Sequence, residues 1–92
     1  MRQVAVAQLR FYAELNDFVS SDSRQRSMAY RFTGRPSIKD AIEGCGVPHT
    51  EVDLIVVDSV SVGFDYPLQP SDRVAIYPVF KTLAVSPLVG RR

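Results

Sequence analysis

The segment Pro36–Gly46 restricts what this chain can fold into more than any other. Ser37 and Asp40 stand in the S-x-x-D relation of a capping box, with Pro36 immediately ahead of the cap. Ile38, Ala41, Ile42 and Cys45 follow at i, i+3, i+4 and i+7, one apolar stripe on a helix of about two turns. Gly44 and Gly46 mark its stop, with Gly46 the expected left-handed residue past the last turn. A helix this short makes no core by itself, and its stripe needs a sheet to cover it.

The rest of the chain supplies that sheet. From Gln3 to Tyr12, Val4, Val6, Gln8 and Arg10 alternate with Ala5, Ala7, Leu9 and Phe11, the period of a half-buried strand with Leu9 and Phe11 inward. Ala13–Phe18 is short and mixed, and Ser20–Ser27 reads as loop with nothing apolar to bury. Met28, Tyr30 and Phe32 then alternate with Ala29 and Arg31, a second strand antiparallel to the first, stopped by Gly34, Arg35 and Pro36. Leu54-Ile55-Val56-Val57 is apolar on both faces, which predicts a central strand. Asp58-Ser59-Val60-Ser61 is turn-like, Val62 and Phe64 make a short edge segment, and Arg73–Tyr77 is the last strand, ended by Pro78. The order β-β-α-β-β-β predicts an α+β fold, a mixed sheet of four to five strands wrapped around one main helix.

Size and charge narrow the function classes. At 92 residues the chain has room for one domain with a modest core. Eleven Lys+Arg against ten Asp+Glu give a net charge of +1, too little for a global field that attracts nucleic acid or anionic membrane. No apolar run approaches the roughly 20 residues of a bilayer span, and Met1–Val4 shows no export signal. The expectation is a cytoplasmic domain. The single cysteine excludes an internal disulfide, and no Cys/His cluster offers a metal cage, so neither metal nor other cofactor is expected.

The residues that carry chemistry elsewhere have plainer uses here. Cys45 lies on the helix's buried stripe as a core filler, without the electropositive setting of a reactive thiol. His49, the one histidine, sits in a loop with Glu51 and Asp53 nearby but no substrate pocket, and either it or Thr50 is expected to bond the backbone of a tight turn. Asp65 and Asp72 fall at turn edges, where carboxylates cap backbone N–H groups. Gly44-Cys45-Gly46 follows a helix, whereas phosphate-cradling loops precede one. No catalytic residues are assigned. Arg24, Arg26, Arg31 and Arg35 crowd twelve residues with no acid between Arg24 and Arg35, a candidate RNA contact; the same charges also guard an edge strand against aggregation. Val6, Tyr12, Tyr77 and Val79 fall on the sheet face opposite the inward set and are the candidate protein-docking residues.

Several pieces together resemble the β-grasp, ubiquitin-like superfamily, in particular its ThiS/MoaD type of sulfur carrier. They are Leu9–Leu15, Ser37–Ile42, Leu54–Val57 and the ending Pro67-Leu68-Gln69-Pro70-Ser71-Asp72-Arg73-Val74-Ala75-Ile76-Tyr77-Pro78-Val79. A narrower set, Arg10–Phe18, Gly46–Ile55 and Tyr77–Phe80, is similar to the ubiquitin-like N-terminal domain of bacterial mutator-seven C-terminal (PIN-like) ribonuclease proteins. That resemblance implies a non-catalytic module at 1–80, a linker or disordered tail at 81–92, and a nuclease domain downstream or a separate protein as partner, in an RNA-processing setting. Two positions depart from the wider group: Asp58-Ser59 replaces Asn-Gly and Ser71 replaces Gly. Thr82 and Leu83 occupy the place of the Gly-Gly tail that a carrier threads into its adenylating enzyme. Carrier activity is therefore not expected, although a degenerate stand-alone carrier and an independent RNA-binding module remain as alternatives.

Overall fold

A computed structural model describes residues 3–79. The proposed linker 81–92, with Thr82 and Leu83, lies outside the described residues. The chain forms β1 (Ala5–Phe11), β2 (Met28–Phe32), α1 (Ile38–Gly44), β3 (Val52–Val57), β4 (Val60–Val62) and β5 (Arg73–Pro78). The strands make one mixed sheet in the order β2-β1-β5-β3-β4, with β1 and β5 parallel and the other neighbours antiparallel. One mixed sheet on one main helix is the expected α+β, β-grasp architecture.

α1 begins and ends as its sequence dictates. Ser37 Oγ accepts the Asp40 N–H at 3.2 Å. The other exposed N–H groups of the first turn are taken by a neighbouring segment: Ile38 donates to the Tyr66 carbonyl at 2.8 Å and Lys39 to the Phe64 carbonyl at 3.1 Å. At the far end, Gly46 N–H bonds the Glu43 carbonyl and Val47 N–H the Ile42 carbonyl, the paired bonds of a Schellman motif. Gly46 has φ +94°, and a Cβ there would sit 3.1 Å from the Phe18 carbonyl oxygen, so glycine is required twice over. The stripe Ile38, Ala41 and Ile42 is fully buried against Ala7, Leu9, Phe11, Val74 and Ile76 of the central strands. Each large side chain in that layer contributes on the order of 1.5–3 kcal/mol.

The structure corrects several expectations. β5 is the central strand, and β3 lies between it and the short edge strand β4. β3 is apolar on both faces without being covered on both, because its outer residues Leu54 and Val56 lie on a sheet face that no other element covers among the described residues. Val62 belongs to β4, but Phe64 lies beyond it and packs on the core margin. Ala13–Phe18 is a 3-10 turn that buries Leu15 and Asn16, and Ser21–Ser23 forms a second one. Asn16 then staples the following loop: its Oδ1 accepts the Gln25 N–H at 2.7 Å and its backbone carbonyl accepts Arg24 Nε at 3.1 Å. Cys45 is half-buried beside the core rather than within it. His49 bonds a side chain, not turn backbone. Its Nδ1 and its N–H both reach Glu43 Oε2, and its ring meets Phe64 edge-on at 5.5 Å, tying the end of α1 to the turn before β3.

The two departures from the glycine-rich turn pattern fall where backbone geometry asks for glycine. Asp58 (φ 47°) and Ser59 (φ 75°) form the two-residue β3–β4 hairpin turn, with the doubly positive φ of type I′. Ser71 (φ 69°) holds the left-handed position of the Gln69–Asp72 turn behind Pro70. Such a residue stores about 1 kcal/mol of strain, partly offset in a glycine variant by a freer unfolded chain. Ser59→Gly and Ser71→Gly are each expected to raise Tm by roughly 2–4 °C in thermal unfolding; an unchanged or lower Tm contradicts this account.

The His49 hydrogen bonds hold the Glu43 carboxyl below its usual range. A depressed carboxyl adds stability above its unfolded pKa, and that stability is lost as pH falls through the folded value. Glu43→Gln is therefore expected to lower Tm at neutral pH and to match the wild type in acid below the carboxylate range. A difference that persists in acid contradicts the linkage.

Candidate functional site

Period-two alternation gives the sheet two faces with different fates. One packs on α1. The other, the open face, carries Val6, Gln8, Arg10 and then Tyr12 along β1, and Arg73, Ala75 and Tyr77 along β5. A bulge between Val52 and Leu54 resets the β3 register, so that Leu54 pairs with Tyr77 and Val56 with Ala75. Tyr12, Tyr77 and Leu54 thus form one row, and Arg10, Ala75 and Val56 the next. Tyr12 and Tyr77 stack with centroids 4.6 Å apart and planes 10° from parallel. The Arg10 guanidinium carbon lies 5.1 Å from the centre of the Tyr12 ring, within cation–π range. Leu54, 41% exposed, completes an apolar area beside the tyrosines.

The other end of this face is basic. Arg31 pairs across from Val6, and Arg73 is in register with Gln8, which puts Arg10, Arg31 and Arg73 on the open sides of three adjacent strands. A groove of about 470 Å³ lies there, lined by Gln8, Arg10, Tyr12, Ser27, Arg73 and Ala75 among others. Arg10 Nε is buried and has no hydrogen-bond partner.

The residues anticipated for docking are only partly assembled. Tyr12 and Tyr77 come together. Val79 follows Tyr77 on the same side, half-buried, with its N–H bonded to the Glu51 carbonyl at 3.0 Å. Val6 lies toward the opposite end of β1 and is 37% exposed. The four arginines near β2 are all exposed, but five residues of strand, about 17 Å, separate Arg24 and Arg26 from Arg35. Arg24 also holds the loop through Asn16, and only Arg31 shares the open face. Arg10, Arg73, Leu54 and Val56 were not singled out from the sequence; alternation marks their face, and strand register alone brings them together.

The remaining chemically capable groups are engaged in structure. Burial pushes the Cys45 thiol up to about 11, which leaves little nucleophilic thiolate at neutral pH. Burial and a 2.9 Å hydrogen bond to Asp72 push the Tyr66 phenol up to about 12. The same Asp72 oxygen accepts the Gln69 N–H at 2.9 Å, the turn-capping role expected of it. Among the described residues, no three His, Cys, Asp or Glu side chains stand close enough to hold a metal ion. No described helix is long and apolar enough to cross a membrane.

No curated protein and no solved structure matches the chain. The model of one family, described as Mut7-C ubiquitin, matches residues 4–84. That span takes in every strand, the helix and the open face, so the chain belongs to the Mut7-C ubiquitin family and is a ubiquitin-like, β-grasp domain.

Proposed function

We propose that this domain is a non-catalytic interaction module that docks on a PIN-like ribonuclease domain and positions it for RNA processing, in the bacterial cytoplasm. The observation that carries the reading is the open face, where stacked Tyr12 and Tyr77 lie beside exposed Leu54 and half-buried Val56, with arginines along one side. Rigid aromatic anchors surrounded by polar side chains are the composition from which protein interfaces draw most of their energy. The family match supports the choice of partner only through its name, Mut7-C ubiquitin. The non-catalytic reading is supported by the uses found for Cys45, His49 and Asp72, each committed to packing or to a fold-holding hydrogen bond. Thr82 and Leu83, in place of a Gly-Gly tail, give the sulfur-carrier alternative no support.

Titration of the ¹⁵N-labelled chain with a PIN-like nuclease domain of the Mut7-C type is expected to shift the amides of Tyr12, Leu54, Val56 and Tyr77. Tyr77→Ala removes an anchor worth about 2 kcal/mol and is expected to weaken binding roughly 30-fold. Shifts confined to the helix side, or an unchanged affinity for the variant, overturn the reading.

A further inference from the structure

We propose that the groove beside Arg10 and Arg73 is a phosphate-binding site for single-stranded nucleic acid. This goes beyond the docking reading and does not rest on it. Arg10 and Arg73 sit on adjacent strands, diagonal to one another in the register that opposes Gln8 to Arg73 and Arg10 to Ala75. Both line the same groove, no carboxylate lines it with them, and no described acid pairs with either. Two guanidinium groups in one concave site repel each other unless an anion joins them. The Arg10 guanidinium is held at the groove by the Tyr12 ring, 5.1 Å from its centre. A phosphate between Arg10 and Arg73 supplies the missing anion, and guanidinium forks match phosphate geometry.

The size and lining of the groove select the source of that phosphate. At about 470 Å³ it far exceeds a lone inorganic ion, and Tyr12 and Ala75 give it an aromatic and apolar wall beside the arginines. That wall suits a sugar and a base, while the Gln8 amide and the Ser27 hydroxyl supply neutral hydrogen-bonding groups. Arg31, exposed on the adjoining edge strand across from Val6, continues the positive track for a neighbouring phosphate.

The test titrates the ¹⁵N-labelled chain at low salt with hexauridylate, inorganic phosphate and hexaglutamate in parallel. Hexauridylate is expected to move the Nε–H signals of Arg10 and Arg73 and to bind at least tenfold more tightly than either other probe. Arg73→Gln, at an exposed position, is expected to weaken it about tenfold and to reduce the slope of log K against log salt by about 0.7. Arg10→Lys keeps the charge but removes the guanidinium fork, and is expected to weaken binding as well. The proposal is overturned if hexauridylate leaves both signals in place, or if phosphate binds equally well, which would make this a small-anion site. Equal binding of hexaglutamate overturns it too, in favour of an acidic peptide.

Discussion

The parallel pairing of β1 with β5 is the contact on which the rest of this structure depends. It joins the first and last strands in the middle of the sheet, Gln8 to Arg73 through Phe11 to Ile76. A parallel pair needs a crossover, and here the crossover contains the helix, both outer hairpin partners and every long turn. Once the two strands are in register, Leu9, Phe11, Val74 and Ile76 present one continuous floor to α1. The backbone bonds Gln8 N–H to the Asp72 carbonyl and Tyr12 N–H to the Ile76 carbonyl extend the pairing past both strand ends. A one-residue slip would turn the shifted strand over and bury either Arg10 or Arg73 under the helix, so the register is strongly specified.

The same pairing creates the open face. With a single helix on one face, nothing in the described chain covers the other. Apolar residues that follow the strand preference of Leu54, Val56 and Tyr77 therefore remain at the surface, and arginines from strands far apart in sequence become neighbours. The two ends of this face suit different partners. The tyrosine end offers stacking and apolar area to a protein, and the arginine end offers charge to phosphates. Adjacent placement of the two would let one small domain bring a nuclease and a strand together.

What the sequence makes legible is whatever is encoded locally. Ser37 and Gly46 write the ends of α1 in side-chain and backbone chemistry, and alternation along Ala5–Phe11 assigns faces residue by residue. Strand order is a different matter. The run Leu54–Val57 reads as a strand buried on both sides, because an exposed interaction face and a core face use the same residue types. The 3-10 turn Ala13–Phe18 lacks a helical stripe and is held by Asn16, whose partners lie up to nine residues away, beyond any local pattern. The arginine groove escapes sequence reading for the same reason. Arg10 and Arg73 are neighbours only through register, while the local crowding of Arg24, Arg26, Arg31 and Arg35 disperses along an edge strand.

Adjacent residues of β5 divide between two faces: Ile76 is buried in the core, and Tyr77 lies on the open face proposed for docking. Equilibrium urea unfolding of Ile76→Ala and Tyr77→Ala tests this directly. Ile76 is fully buried between α1 and the sheet, and its truncation is expected to cost about 2–5 kcal/mol. Tyr77 loses a cross-strand aromatic contact on an open face, expected to cost roughly 0.5–1.5 kcal/mol. A Tyr77→Ala variant as destabilised as Ile76→Ala would show that the tyrosine pair belongs to the core, and would contradict the assignment of this face to binding.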